Sequence, residues 1–231
     1  MSPDGTADDS ATPDAGLDAM DSDGDARRVD AAELCPALCA DAGLGTCDPS
    51  GTCAIVCTAS GTCTNPIVCP PGIPCAVTCI GAGTCTGSID CKAASACTVK
   101  CDGAGSCTQQ IACSVGTCKV ACAGEGSCTG PIACDASSCD IQCKNPDSCA
   151  QRIACSGSTC TVDCAGARAC AADVSSTATD TTVKCSGAAS CKGRVSCSGT
   201  ACNVSCAGVP SCGQGVCCDA GICTGSSPAC L

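Results

Sequence analysis

The side chains with chemistry in this chain are cysteines, thirty-six of them. Their spacing recurs. In C-T-V-K-C-D-G-A-G-S-C-T-Q-Q-I-A-C they fall at Cys97, Cys101, Cys107 and Cys113, here termed the first, second, third and fourth positions, and the next copy begins at Cys118. First positions fall at 53, 75, 97, 118, 139, 160, 181, 202 and 223, so the period is 22, 22 and then 21 residues, giving eight units and a stub. Thiols at this density either oxidise to disulfides or hold soft metals as thiolates. Thiolate sites of the zinc type use C-x-x-C pairs, commonly with His. This chain has neither C-x-x-C nor C-x-C, no His, and one adjacent pair, Cys217-Cys218. The spacing therefore favours disulfides. No metal and no cofactor is expected, and the even cysteine count allows complete pairing.

Geometry narrows the partners. First and second cysteines are four residues apart along an extended strand, about 13 Å, whereas a disulfide needs Cα atoms within about 7 Å. Pairing across the turns remains, second with third and fourth with the next first, or pairing within one column of successive units. Two repeat cysteines are absent: Ser176 stands at a fourth position and Thr181 at the first position that follows. They are the two ends of a single turn-crossing bridge, and column pairing would strand two thiols instead. The expected second-to-third bridges are Cys57–Cys63, Cys79–Cys85, Cys101–Cys107, Cys122–Cys128, Cys143–Cys149, Cys164–Cys170, Cys185–Cys191 and Cys206–Cys212. The expected fourth-to-first bridges are Cys69–Cys75, Cys91–Cys97, Cys113–Cys118, Cys134–Cys139, Cys155–Cys160 and Cys197–Cys202. At the end of the chain Cys218 falls to Cys223 and Cys217 to Cys230. The rule does not place Cys35 and Cys39, which exchange freely on paper with Cys47 and Cys53.

Other chemistries lack their residues. Without His there is no Ser-His-Asp or Cys-His arrangement. The glycine-rich segments D-G-A-G-S and A-G-E-G-S lack the G-K-[ST] ending of a phosphate loop and read as turns. Asp21, Asp23 and Asp25 suggest a calcium loop, but its sixth and twelfth positions would be Ala26 and Ala32 instead of Gly and Glu. A net charge of −11 with no Phe, Trp or Tyr argues against nucleic-acid binding. Charges do not recur in columns: Lys100 and Lys119 occupy neighbouring first-strand sites, but Gln142 and Asp163 follow. An enzyme is not expected.

The elements that must position the cysteines are short strands. Cys97, Val99 and Cys101 alternate with Thr98 and Lys100, the period of two that marks a strand. The same alternation recurs in Cys75-Val77-Cys79, Cys118-Val120-Cys122, Cys139-Ile141-Cys143 and Cys160-Val162-Cys164. A second strand ends in I-A-C at Ile111–Cys113, Ile132–Cys134 and Ile153–Cys155. Two strands and two turns per repeat suit one rung of a parallel β-helix, since a fixed period of about 20–50 residues marks a solenoid or array. The fold expected is an all-β, disulfide-rich β-solenoid of about eight rungs, roughly 38 Å along the stack. A string of independent disulfide hairpins would leave the constant period without a cause.

Four segments follow: a disordered acidic linker over 1–34, a cysteine-rich cap over 35–52, the repeats over 53–222 and a C-terminal cap over 223–231. The linker holds ten acidic residues against Arg27 and Arg28, a net of −8, which leaves −3 for the remainder. Low hydrophobicity with high net charge does not offset the entropy of folding. No secretory n-region and h-region follow Met1, and no run of about 18 apolar residues would span a membrane. Oxidised cysteines nonetheless place the protein outside the reducing cytosol, extracellular or in the cell envelope.

Two resemblances bear on function. D-A-G-L-D-A-M-D-S-D-G-D resembles the spacers that follow the lipidated cysteine of bacterial envelope lipoproteins, which implies a lipid anchor upstream of Met1 and neighbouring envelope proteins or a surface ligand as partners. The third cysteines are flanked by small hydroxyls at Thr62 and Thr64, Thr84 and Thr86, Ser106 and Thr108, and Ser127 and Thr129. If these cysteines sat on strands, both flanks would face out and stack into two hydroxyl columns. That array resembles the T-C-T face of the disulfide-filled insect antifreeze β-solenoids and implies ice binding. The function expected first is a non-catalytic, exported scaffold or adhesive surface. Ice binding is the alternative, and a thiolate metal store similar to the metallothioneins is the remoter one.

Overall fold

The computed structural model describes residues 31–41, 45–114, 116–218 and 222–224. In chain order the elements are α1 (Ala31–Asp41), β1 (Gly45–Cys47), β2 (Cys53–Cys57), β3 (Ile67–Val68), β4 (Pro74–Cys79), β5 (Ile89–Cys91), β6 (Ala96–Cys101), β7 (Ile111–Cys113), β8 (Thr117–Cys122), β9 (Ile132–Asp135), β10 (Ser138–Cys143), β11 (Ile153–Ser156), β12 (Thr159–Cys164), β13 (Val174–Ser176), β14 (Asp180–Cys185), β15 (Val195–Cys197), β16 (Ala201–Cys206), β17 (Val216–Cys218) and β18 (Ile222–Thr224). Even-numbered strands stack into a ten-stranded sheet that begins at β1, and odd-numbered strands from β3 to β17 into an eight-stranded one. All neighbours are parallel except β1 and β2. Each rung contributes one strand to each sheet, so the chain is a β-solenoid of about eight turns.

Register keeps every repeat position on its own column. Cys97, Val99 and Cys101 stand opposite Cys118, Val120 and Cys122, and Ile111 opposite Ile132. The period of two sends Ile55, Val77, Val99, Val120, Ile141, Val162, Val183 and Val204 inward from one sheet and Ile67, Ile89, Ile111, Ile132, Ile153, Val174 and Val195 from the other, each at most 2% exposed. With the cysteines they form one continuous core. Such an interior is thin. Branched aliphatics suit a pleated, half-buried surface, and the larger area that aromatic rings bury is missing.

The turns set the corners. After Cys101 the chain passes so close to the preceding rung that a Cβ on Gly103 would collide with the carbonyl oxygen of Gly81, and Gly124, Gly166, Gly187 and Gly208 repeat the approach. Two residues beyond Gly103, Gly105 adopts φ +62° with open space around it. The third cysteine also lies in the left-handed region, at φ 51° for Cys85, 53° for Cys107 and 47° for Cys191. Its N–H is held by the preceding rung, as in Cys107 N to Thr84 O at 3.1 Å and Cys128 N to Ser106 O at 2.9 Å.

The N-terminal end is closed by α1 and the β1–β2 hairpin. Cys35 and Cys39, four residues apart on α1 and so on one helical face, are buried and bridge to Cys47 and Cys53. The helix runs through Pro36 and begins at Ala31, inside the stretch that composition assigns to the acidic linker. Asp48 ties the hairpin turn: its Oδ1 accepts from Ser50 N at 2.9 Å, Ser50 Oγ at 2.6 Å and Thr52 N at 2.9 Å.

Candidate functional site

The cysteines form two stacked columns of bridges inside the coil. Second-to-third bridges run through Cys57–Cys63, Cys79–Cys85, Cys101–Cys107, Cys122–Cys128, Cys143–Cys149, Cys164–Cys170, Cys185–Cys191 and Cys206–Cys212. Fourth-to-first bridges are Cys69–Cys75, Cys91–Cys97, Cys113–Cys118, Cys134–Cys139, Cys155–Cys160 and Cys197–Cys202. Their Cα separations lie between 5.9 and 6.2 Å, within the ordinary span of a disulfide. Among the described residues no cysteine is free. Cys217 is disulfide-bonded; its expected partner Cys230 lies outside the described residues, as do the side chains of the expected pair Cys218–Cys223.

Where the second column lacks a bridge, Ser176 Oγ and Thr181 Oγ1 stand 2.7 Å apart, and Ala178 N donates to Ser176 Oγ at 3.2 Å. Both side chains are 3% exposed and occupy the register positions of Cys155 and Cys160 in the rung before. A hydrogen-bonded hydroxyl pair thus replaces a cystine at the one turn where the sequence drops both partners.

The hydroxyl columns expected on either side of the third cysteine are corrected by its backbone. A left-handed turn residue does not project its neighbours to one face as a strand residue does. Thr84, Ser106 and Ser127 are fully buried, while Thr62 is exposed. Thr84 Oγ1 and Ser106 Oγ donate to the carbonyls three residues back, Gly81 and Gly103, at 2.7 Å each, and Ser148 Oγ does the same to Asn145. These hydroxyls tie turns together. Apart from Thr62, the hydroxyls that reach the surface are those of the following residues, exposed Thr64 and half-buried Thr86, Thr108 and Thr129, a file one residue wide that continues into Ala150, Ala171, Lys192 and Gly213.

Outward residues vary from rung to rung. Lys100 stacks on Ala121 and Lys119 on Thr98, so the two lysines lie on a diagonal and not in one column, because register pairs each residue with the one 21 or 22 places on. With Asp140, Gln142 and Lys144 they line a shallow hollow of about 290 Å³, in which Gln142 Nε2 donates to Asp140 at 3.1 Å. A second hollow, about 410 Å³, follows the outer face of the eight-stranded sheet over Ala133, Ala154, Ser175 and Ser196, rimmed by Asp135 and Arg152. Arg152 Nη2 donates to Ser175 Oγ at 3.0 Å, and Ser156 Oγ to Asp135 at 2.6 Å.

Sequence reasoning missed a third feature. The column that is Gly61, Gly83, Gly105 and Gly126, all at positive φ, continues as Asp147, Arg168 and Ala189 at φ 57°, 57° and 54°. Asp147 and Arg168 pair across successive rungs. The hydrogen bond from the guanidinium holds the Asp147 carboxyl below the usual carboxylate range and raises Arg168. Both side chains are substantially solvated, so the pair contributes little to stability. They border a groove of about 410 Å³ with Ala150, Ala171 and Lys192. The signal in the sequence was the loss of Gly from a turn column; its consequence needs the φ angles. Across these surfaces hydroxyls, single charges and alanines recur, and among the described residues the ion pair that forms is Asp147–Arg168.

No protein family, curated protein or solved structure matches this chain.

Proposed function

We propose that the chain is a non-catalytic, exported repeat protein that acts as a rigid, disulfide-stapled scaffold or adhesive surface. The observation that carries this reading is the unbroken in-register stack. Every rung buries its Val or Ile and is closed by a second-to-third bridge, while the outward residues change from one rung to the next. Selection for shape with freedom at the surface gives that pattern. A catalytic centre needs converging groups of tuned acidity, whereas the perturbed groups here serve local ties: Asp48 holds Ser50 and Thr52 of its own turn, and Asp147 and Arg168 hold each other.

Location follows from redox chemistry. Sixteen described disulfides persist in an oxidising compartment. No helix among the described residues is long and apolar enough to cross a membrane. The acidic N-terminal segment serves as the spacer between the solenoid and its lipid-anchored attachment. Fractionation of the producing cells, with thiol labelling of each fraction, tests the reading: the protein is expected outside the cytosol and without reactive thiols. A cytosolic pool with titratable thiols or stoichiometric soft metal would overturn it in favour of metal storage.

A further inference from the structure

The second-to-third bridges form a column without a gap from Cys57–Cys63 to Cys206–Cys212, and successive rungs bring their sulfurs together. The three Sγ atoms of Cys57, Cys63 and Cys85 lie within 4.8 Å of one another, as do those of Cys79, Cys85 and Cys107, of Cys122, Cys143 and Cys149, and of Cys164, Cys170 and Cys191. In each triad two sulfurs belong to one bridge and the third to its neighbour. The intervening cysteines, from Cys79 to Cys191, are at most 1% exposed, whereas Cys63 in the first rung and Cys206 in the last are only partly buried. The fourth-to-first column is close-packed too, with Cys69 Sγ 3.4 Å from Cys91 Sγ, but Ser176 and Thr181 interrupt it.

The geometry points to a thiol–disulfide relay: a thiol entering at either end of the unbroken column moves along it by successive exchange. The entering reagent is a low-molecular-weight thiol. Its thiolate attacks the Sγ of Cys63, forms a mixed disulfide there and expels the Cys57 thiolate. Cys57 then attacks Cys79, forming Cys57–Cys79 and releasing Cys85; Cys85 attacks Cys107 and releases Cys101; Cys101 attacks Cys122 and releases Cys128. Each step breaks one S–S bond and makes one, so nothing is oxidised or reduced overall, and the proton lost by the entering thiol is regained by the last thiolate. Every product joins like cysteines of adjacent rungs. The backbone register already pairs Cys57 with Cys79, Cys79 with Cys101 and Cys101 with Cys122. Adjacent strands lie about 4.8 Å apart, inside the range a disulfide spans. Burial disfavours the thiolate, so transfer is slow near neutrality and quickens as pH rises. The relay carries a broken bridge from the interior to an end where solvent oxidants reach it.

The Cys57→Ser variant tests this by leaving one thiol, on Cys63. After incubation at about pH 8.5, where a free thiol is half ionised, the protein is quenched with iodoacetamide and mapped without reduction. Label is expected on Cys79 and Cys107 as well as Cys63, with Cys63–Cys85 and Cys79–Cys101 linkages that grow with time, independently of protein concentration, and more slowly at lower pH. The mirror variant Cys212→Ser, which frees Cys206, is expected to deliver label to Cys191. Label confined to Cys63 in the first variant, or to Cys206 in the second, overturns the relay. A third variant, Cys202→Ser, frees Cys197 beside the Ser176–Thr181 gap; Cys155 and Cys160 are expected to stay unlabelled. Label on either would mean scrambling through unfolding and would overturn it as well.

Discussion

Ser176 and Thr181 show what one cystine contributes at a fixed place in the fold. Their hydroxyls keep the turn closed at 2.7 Å, an interaction with a net contribution of about 1 kcal/mol. A bridge closing a loop of this length contributes about 2 kcal/mol on the chain-entropy model. The double change Ser176→Cys with Thr181→Cys is therefore expected to form an additional bridge in the fourth-to-first column and to raise stability by about 1 kcal/mol. Denaturant midpoints of the oxidised proteins measure it, and a double variant that still reacts with a thiol reagent would contradict it. Asp48 offers a charged counterpart. The Ser50 hydroxyl, with the Thr52 and Ser50 amides, holds its carboxyl below the ordinary 3.8. A carboxylate whose folded pKa is depressed stabilises the hairpin above its unfolded value and loses that contribution as pH falls through the folded one. The amide resonances of Ser50 and Thr52 are expected to titrate with a midpoint under 3.8 and to lose that transition in Asp48→Asn. A midpoint at or above 3.8 would rule out the capping role.

At the scale of elements, strands and turns differ in how much the sequence announces. Strands are legible because alternation is a property of residue type: Cys97, Val99 and Cys101 cannot all be buried in a helix with a period of about 3.6, and they are buried here. Turns are not. Nothing in S-C-T signals that Cys107 lies at φ 53°, so a strand reading sends Ser106 outward when it is wholly buried. Helix α1 is hidden for another reason: a single short helix containing Pro36 has no repeat to reveal it and depends on two bridges for its place. Edges are managed by prolines. The terminal strand of the eight-stranded sheet, Ile67–Val68, is flanked by Pro66, Pro70 and Pro71, residues that blunt an open edge against further pairing. The left-handed column yields paired expectations. Gly105→Ala, with open space around it, is expected to cost about 1 kcal/mol, and Ala189→Gly, at φ 54°, to gain a similar amount. Gly103→Ala meets the Gly81 carbonyl and is expected to cost clearly more than Gly105→Ala. Equal melting midpoints for the two alanine variants would show that the rung corner relaxes.

For the whole molecule the question is what a stack without aromatic rings needs in order to stay folded. Net stabilities of domains are about 5–15 kcal/mol. Even with heavy discounts for non-additivity, sixteen bridges at about 2 kcal/mol each exceed that margin. The reduced chain, left with two thin aliphatic columns, is expected to lie on the unfolded side. Far-UV circular dichroism of fully reduced and alkylated protein should lose its β signature at ambient temperature, while the oxidised protein keeps it well above the range of about 45–65 °C where mesophilic domains melt. A reduced chain that retains its β signature would mean that the solenoid core suffices alone. The same rigid stack permits a direct measurement against the ice-binding alternative. An ice-matching face needs hydroxyls repeated in two directions, and with Thr84, Ser106 and Ser127 buried the surface presents one file, Thr64, Thr86, Thr108 and Thr129, that gives way to Ala150 and Lys192. Purified oxidised protein is expected to show no thermal hysteresis. A hysteresis that is present in the native protein and abolished by Thr86→Tyr with Thr108→Tyr would mean that a single file suffices, and that the first four rungs are a binding face in their own right.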